Sequence, residues 1–313
     1  MYYSPWNPRW TTDAPQRQTD PVTELNGRGH MPPRSNPTER QRRLGAELRR
    51  MRTSAGITTE HAARMLNVPR TNVPNMESGR SGISADRVRT LAANYGCAEA
   101  EFVEALAAMA ARRDKGWWEE YRDRLPDSFL DIAEMEWHAE RLRITVSVHL
   151  PGLLQTEDHA RAVFEAVIPP LLVPDLDARL THRVDRQQVL DRSEPLALDV
   201  ILHEAALRME FGGSSVARRQ LEQLLHVSER EAVTIRVIPF KAGGFPGAGQ
   251  SVVYAESSVP RLDTVELDST HGPEFIDTEP QLNKYRAHFD AAEAVALAPE
   301  PSRDFIHALA NDL

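Results

Sequence analysis

Apolar residues recur at helical spacing near the start of the chain. Leu44, Leu48 and Met51 lie three or four positions apart, which predicts an amphipathic helix. A second helix is predicted to begin at Thr58, a hydroxyl residue suited to the N-cap, with Glu60 in the first turn, where a negative charge suits the helix dipole. The apolar face of this second helix consists of Ala62, Ala63, Met65 and Leu66.

A tight turn separates the second helix from a third one. The turn is predicted at residues 67–68, and Pro69 is predicted to begin the third helix because its fixed φ suits the first helical position. Val73 and Met76, three residues apart, would pack back onto the second helix, and Gly79 would end the element in a left-handed conformation. Two helices joined in this way form a helix-turn-helix, which can place one helix in the DNA major groove.

The rest of the chain alternates short β-rich runs with helical patterns. The β-rich runs are 144–150, 196–202, 233–240, 251–254 and 264–267. The helical patterns begin after Thr156, at 175–190, after Ser214 or Ser215, at 279–297 and at 302–309. Gly243 to Gly247 form a flexible loop that lacks the spacing of a phosphate-binding glycine loop.

These patterns predict a fold class and four segments. The chain is predicted to be an N-terminal all-α helix-turn-helix domain, lambda-repressor-like, followed by a mixed α/β (α+β) C-terminal domain. Residues 1–37, with seven prolines and little periodicity, are predicted to be a disordered tail. The remaining segments are a helix-turn-helix domain at 38–114, a linker at 115–125 and the C-terminal domain at 126–313.

Charge is distributed unevenly between these segments. Residues 38–98 hold eleven arginines, no lysine and five acidic residues, a balance of +6, whereas the whole chain carries −9. Residues 117–313 hold 19 basic and 34 acidic residues, a balance of −15. A basic module on an acidic protein favours phosphate contact by the module. The acidic region would be repelled by DNA and is predicted to serve sensing, dimerisation or partner binding.

Other classes of protein fit the sequence less well. Cys97 is the one cysteine, so an intrachain disulfide is excluded, and no apolar run approaches the ~20 residues that span a membrane. The start MYYSPWNPRW lacks the features of a signal peptide, and a cytoplasmic location is predicted. His203-Glu204 lacks the second histidine of a zinc-protease motif, and Asp268, His271 and Glu274 fit a solvated loop. We therefore predict no catalytic residue, no cofactor, no metal and no enzyme activity.

The predicted DNA-binding residues lie on the helix-turn-helix. Arg70 and Thr71, near the start of the third helix, would reach bases or phosphates, and Asn72 and Asn75 could pair with adenine edges. Phosphate contacts are assigned to Thr58, Thr59 and Arg80. A dimer would place two such helices in successive major grooves about 34 Å apart.

Two other functions fit the same residues. Pro74 lies inside the helix that would read DNA, and in a helix interior it would remove a hydrogen bond at a cost of about 3 kcal/mol. With a kinked or shortened reading helix, the protein would be a protein-interaction or antitoxin-like module. Its acidic domain would hold a partner, and its basic region would serve as a scaffold or dimer surface. The other possible function is that of a ligand-controlled regulator, in which the C-terminal domain binds a small molecule that controls DNA binding.

Seven blocks of the sequence carry a resemblance to a known family. They are LGAELRRMRTSAGIT at 44–58, MESGRSGISADRVRTLAANYG at 76–96, KGWWEEY at 115–121, HLPGLLQTEDHARAVF at 149–164, LHEAALR at 202–208, QLEQLLHVSEREAVTIRVIPFKAG at 220–243 and EPQLNKYRAHFDAAEAVAL at 279–297. In these blocks the chain is similar to actinobacterial Xre-type helix-turn-helix proteins with a C-terminal DUF5753 domain, which are also called antitoxin-like transcriptional regulators.

The resemblance implies a dimeric cytoplasmic transcription factor that binds double-stranded DNA. It also implies a small DUF397-like partner protein that modulates the regulator. The chain departs from the family at the reading helix. Relatives usually have Ser at the positions of Pro69 and Pro74, a basic residue at Asn72 and Arg at Asn75, so two positive charges are missing here.

Overall fold

The structure is a computed structural model that describes residues 36–111, 116–245, 247–269 and 271–313. The predicted tail 1–37 lies outside the described residues except for its last two. Asn36 donates a hydrogen bond of 2.9 Å to the carboxylate of Asp127, and the carbonyl of Pro37 accepts one of 2.5 Å from Arg42. Residues 112–115, which end the predicted helix-turn-helix domain and begin the predicted linker, are also outside the described part.

All regular elements described in the N-terminal region are helices. Its helices are α1 (Glu39–Ser54), α2 (Thr59–Leu66), α3 (Asn72–Glu77), α4 (Ala85–Asn94) and α5 (Ala100–Ala111). The hydroxyl groups of Thr38, Thr58 and Ser84 accept backbone hydrogen bonds at the starts of α1, α2 and α4, which fixes where these helices begin. The helices enclose an apolar core that includes the almost fully buried Val88 and Leu106.

Two glycines let α1 approach the end of α3 closely. A Cβ atom added at Gly45 would lie 2.5 Å from the carbonyl oxygen of Glu77, closer than such contacts allow. Gly79 has a φ of +74°, and a Cβ there would lie 2.8 Å from the backbone of Gln41. The left-handed conformation predicted for Gly79 is confirmed. The helix that would read DNA therefore rests directly on the backbone of α1.

The C-terminal region combines a sheet with helices. Its helices are α6 (Asp127–His138), α7 (Glu157–Glu165), α8 (Val173–Arg186), α9 (Glu204–Arg208), α10 (Ser214–Val227), α11 (Glu279–Val295) and α12 (Pro299–Asp312). Its strands are β1 (Arg141–Val146), β2 (Ala197–His203), β3 (Val233–Ile238), β4 (Val252–Glu256), β5 (Thr264–Leu267) and β6 (Glu274–Ile276).

The sheet has the strand order β3-β2-β1-β4-β5-β6. The pairs β1–β2 and β2–β3 are parallel, whereas β1–β4, β4–β5 and β5–β6 are antiparallel. Alternate residues such as Leu142, Leu198 and Ile235 point to one face and join α10 and α12 in the main core. The predicted α+β class and the preceding all-α region are confirmed. The strand β6 has no counterpart in the prediction, and Ser214 is the first residue of α10 rather than its cap, which is Gly213.

The conspicuous PGLLQT run at 151–156 has a structural role in this fold. Its Gln155 side chain donates to the carbonyl of Leu150 at 2.8 Å and accepts from Arg183 at 2.5 Å. Thr156 caps α7, as predicted, and its backbone N–H donates to Gln220 at 2.7 Å. Because these bonds satisfy buried polar groups of the connection between β1 and α7, the run holds that connection against α8 and α10.

Arginines of α1 connect the helical region to the C-terminal region. The guanidinium group of Arg43 is buried and donates to the carbonyl oxygens of Arg261 at 2.7 Å and Asp263 at 3.1 Å. Arg50 forms an ion pair of 2.6 Å with Asp277. Leu262 also belongs to the apolar core of the N-terminal helices. Among the described helices, none has the length and apolar character needed to cross a membrane.

Candidate nucleic-acid interface

The two central helices of the motif are joined by a connection longer than predicted. Asn67 adopts a left-handed conformation with φ of 50° and ends α2. The next helix begins at Asn72, three residues after Pro69, and not at Pro69 as the sequence suggested. Residues 70–71 form a turn closed by a hydrogen bond of 2.9 Å from the Asn72 N–H to the Pro69 carbonyl. The reading helix α3 is six residues long.

This later start changes the role of Pro74. Pro74 is the third residue of α3 and therefore lies in the first turn, not in the helix interior as the sequence suggested. Backbone N–H groups of a first turn have no partner within the helix, so the missing N–H of proline costs no intrahelical bond there. The helix accommodates Pro74, and the expected cost of an interior proline does not apply.

Replacing Pro74 by alanine is therefore expected to lower the free energy of unfolding slightly, by less than about 1 kcal/mol. The small loss comes from the greater freedom of the unfolded chain. Urea unfolding followed by circular dichroism measures this change. Ala93→Pro, at an exposed position of α4 with interior hydrogen bonding, is the matched comparison and should cost about 3 kcal/mol. A gain near 3 kcal/mol in Pro74→Ala would contradict this placement.

The outward face of α3 is defined by what the helix buries. Val73 and Met76 are 2% and 6% exposed and pack into the helical core. Thr71, Asn75 and Ser78 recur at intervals of four and three residues and thus share the opposite side. Of the predicted base-reading residues, the structure places Thr71 and Asn75 on this outward face. Asn72 and Asn75 are both half-buried, and Asn72 lies at the edge of this face.

The start of α2 lies next to this helix and presents the two predicted threonines. Thr58 is exposed, and its hydroxyl group accepts a bond of 3.2 Å from the His61 N–H as the N-cap. The cap predicted from the sequence is confirmed. Thr59 is half-buried as the first helical residue. A helix N-terminus with free N–H groups suits a phosphate oxygen, which is the contact predicted for these residues.

The charge of the helical region divides into two parts. Six of its eleven arginines have an electrostatic partner: Arg40, Arg42, Arg43, Arg50, Arg52 and Arg89. Asp131 and Asp277 of the C-terminal region supply some of the partners, to Arg42 and Arg50. The balance of +6 therefore overstates the charge available to DNA, because part of it is matched across the junction with the acidic region.

The other five arginines are exposed and form no ion pair within the described residues. They are Arg49, Arg64, Arg70, Arg80 and Arg87. Arg70 precedes α3 by two residues and Arg80 follows it by three, so both ends of the outward helix carry an unmatched positive charge. Arg64 at the end of α2, Arg87 in the first turn of α4 and Ser78 were not predicted from the sequence. These two arginines differ from the paired ones only because no acidic side chain of the described chain lies against them in the fold.

A buried ion pair fixes the position of α3. Arg52 of α1 forms two bonds, of 2.5 and 3.0 Å, to the carboxylate of Glu77 at the end of α3. Both side chains are only 9% exposed. A third bond of 2.7 Å reaches the carbonyl of Ile57, just before α2. One guanidinium group thus ties α1 to the start of α2 and the end of α3.

The side chains of His203 and Glu204 have structural partners. His203 accepts a hydrogen bond from the Ala205 N–H at 3.2 Å and caps α9. Glu204 accepts from Arg208 at 2.6 Å and from the Phe240 N–H at 2.8 Å. Within the described residues, no group of three or more His, Cys, Asp or Glu side chains is arranged to hold a metal ion.

Comparisons with known families agree with this architecture. The sequence model of a helix-turn-helix domain matches residues 43–106, which run from α1 into α5. The N-terminal region therefore has the fold typical of DNA-binding regulators. A domain of unknown function, DUF5753, matches residues 129–308, and the chain belongs to this DUF5753 family. Neither curated proteins nor solved structures match the chain.

Proposed function

We propose that this protein is a sequence-specific regulator of transcription that binds double-stranded DNA through α2 and α3. The observation that carries the proposal is the distribution of exposed arginines. Arg70 and Arg80 bracket an outward helix face and have no acidic partner within the described chain. Unmatched cations around a helix of a helix-turn-helix are the electrostatic feature expected of a DNA contact surface.

In this proposal, α3 lies in the major groove and α2 crosses the backbone. Thr71 and Asn75 face base edges, where an asparagine side chain can bond to adenine. Arg70 and Arg80 contact phosphates beside the groove, and Thr58 and Thr59 present the N-terminus of α2 to another phosphate. Asn72 reaches the groove only from the edge of the face, so we propose that it contributes less to base recognition than Asn75 does.

Fluorescence anisotropy tests the proposal with DNA from upstream of the protein's own gene and with a random duplex, each at several salt concentrations. Preferred binding to the upstream DNA is expected. Equal binding to both duplexes at physiological salt would reject sequence-specific reading. That result would favour the antitoxin-like interaction module.

Arg70→Ala is expected to weaken binding to both duplexes and to reduce the slope of log affinity against log salt by about 1, because one phosphate contact is lost. Arg218→Ala is the matched control, since Arg218 is an exposed arginine of α10 in the acidic region. This control should leave both affinity and salt slope unchanged. Equal effects of the two substitutions would show that Arg70 acts only through net charge.

We also propose that the protein acts as a homodimer. Helix-turn-helix proteins commonly pair two reading helices across successive grooves. The connection between α7 and α8 and the first residue of α8 expose an apolar surface, in which Ile168, Leu172 and Val173 are 91%, 72% and 70% exposed. Such surfaces favour protein contacts. Light scattering of the full chain measures the oligomeric state.

We also propose that a small DUF397-like protein binds this regulator. This proposal rests on the family resemblance alone, and co-purification with the product of a neighbouring gene tests it.

A further inference from the structure

The connection between β4 and β5 inserts into the helical region. This β4–β5 loop spans residues 257–263. Its Leu262 is 8% exposed and lies in the apolar core of the N-terminal helices, with the partly buried Val259 at the edge of that core. Among the described residues, Leu262 is the only buried member of this core that the C-terminal region supplies. A side chain from the C-terminal region therefore completes the core of the helix-turn-helix.

Two arginines, one from each region, hold the loop against the helices. The buried guanidinium group of Arg43 in α1 donates to two backbone carbonyls of the loop, those of Arg261 and Asp263. Arg261 reaches back to the carboxylate of Glu99 at 2.6 Å, and its guanidinium group lies 4.1 Å from the centre of the Phe102 ring in α5. Because a buried guanidinium group needs acceptors for its N–H groups, Arg43 stabilises the docked position of the loop.

The shape of the β4–β5 loop is fixed by its own region. The carboxylate of Asp263 is buried and accepts three hydrogen bonds. The donors are the Tyr254 hydroxyl at 2.8 Å, the Ser257 N–H at 2.9 Å and Arg286 at 3.1 Å. Tyr254 belongs to β4 and Arg286 to α11, so the loop is tied both to the sheet and to a helix packed on it. The C-terminal region therefore presents a preformed loop to α1 and α5.

Helix α1 connects this contact with the reading helix. Arg43 lies two residues before Gly45, where the backbone of α1 touches the end of α3. Arg52, further along α1, bonds to the carboxylate of Glu77 in α3. Close backbone contact and a buried ion pair thus join the two helices. A displacement of α1 from the loop would move α3 as well, because packed elements of this kind shift together.

We propose that the β4–β5 loop positions the reading helix, so that DNA binding by α2 and α3 depends on the docked loop. Arg261 and Leu262 are positioning residues that act through α1 and α5 and do not touch DNA. The effect on DNA rests on the proposed function, whereas the coupling of the loop to the helical core does not. The C-terminal region is thus part of the DNA-binding unit and not only a module attached to it.

Hydrogen exchange of the full chain, followed by mass spectrometry, tests the coupling. Leu262→Ala removes the side chain that the loop inserts. Leu309→Ala is the matched control, because Leu309 is buried to the same degree, at 7% exposure, but lies in the core that α10, α12 and the sheet enclose. Amides of α1 and α3 are expected to exchange at least tenfold faster in Leu262→Ala than in Leu309→Ala. Equal exchange of these helices in the two variants would overturn the proposal.

Fluorescence anisotropy with the upstream DNA tests the effect on binding, at a temperature where circular dichroism shows that both variants are folded. Leu262→Ala is expected to bind this DNA at least tenfold more weakly than Leu309→Ala does. Its slope of log affinity against log salt should equal that of the parent, because no phosphate contact is lost.

The outcomes of the two measurements separate the loop from the proposed function. Equal DNA affinity of the two variants would refute the positioning role. A salt slope reduced by about 1 in Leu262→Ala would also refute it, because a phosphate contact would then depend on the loop directly. If the parent binds the upstream and random duplexes equally while the difference in exchange is observed, the proposed function fails and the coupling of the loop to the helical core stands.

A milder pair of variants gives the test if Leu262→Ala does not fold. Leu262→Val and Leu309→Val remove less side-chain volume, so smaller cavities are left. The same differences in exchange and in DNA affinity are expected between them, each at least threefold. No difference between the two valine variants would overturn the proposal.

Discussion

Arg52→Ala is expected to destabilise the protein by about 3–5 kcal/mol, because it leaves the buried carboxylate of Glu77 without its partner. The pair has two hydrogen bonds, and both side chains are only 9% exposed. The same substitution leaves the carbonyl of Ile57 without the bond that Arg52 donates. Urea unfolding measures the free energy. Since α3 loses its tie to α1, DNA affinity should fall as well.

Arg89→Ala is the matched control for this prediction. Arg89 also makes two bonds to one carboxylate, of 2.9 and 2.8 Å to Glu104, but the pair is 46% and 60% exposed. Water and salt screen exposed ion pairs, so the same geometry should contribute much less to stability here. Similar losses in Arg52→Ala and Arg89→Ala would show that burial does not set the strength of the Arg52 pair.

A double substitution separates stability from DNA recognition. Replacing both members of a buried pair by apolar residues of similar size is often neutral or stabilising. Arg52→Met combined with Glu77→Leu is therefore expected to restore most of the lost stability. If it also restores DNA affinity, the pair acts only by holding α3 in place. Restored stability without restored affinity would mean that Arg52 or Glu77 contributes to the DNA complex itself.

The sequence was most informative where local chemistry decides the structure. Thr58 and Thr156 cap helices as predicted, because a hydroxyl N-cap needs only its own neighbouring backbone. The β-rich runs correspond to β1 to β5 within a few residues, since buried strands require apolar side chains. The short strand β6, Glu274–Ile276, was missed because three residues carry too little pattern.

The candidate site was only partly predictable because it depends on distant partners. Eleven arginines look alike in the sequence, yet Arg42 and Arg50 are matched by Asp131 and Asp277, which lie 89 and 227 positions away. Only the fold identifies the remaining exposed arginines. The start of α3 was misplaced because Pro69 suits a first helical position, but the left-handed Asn67 directs the chain into an additional turn first.

A second large effect is expected at Glu266, in strand β5. Its side chain is buried, and this burial, together with the nearby Asp268, raises its pKa from 4.5 to about 8, against the opposing effect of Arg186. Glu136 lies close enough to raise it further. Between pH 4.5 and about 8, the folded chain therefore keeps a proton on Glu266 that the unfolded chain has lost. Stability contributed by this proton is complete below pH 4.5 and is lost as the pH rises through about 8.

Glu266→Gln removes the ionisation and keeps the neutral shape. The variant should match the parent near pH 5 and exceed its free energy of unfolding by several kcal/mol near pH 9, since each pKa unit corresponds to 1.36 kcal/mol. Buried His159 and His182, whose pKa values are lowered to about 4 and about 3, destabilise both proteins equally at acid pH. Urea unfolding at pH 5, 7 and 9 measures the difference, with Glu222→Gln as the exposed control. A difference between Glu266→Gln and the parent that does not grow with pH would mean that Glu266 is already ionised in the folded protein at neutral pH.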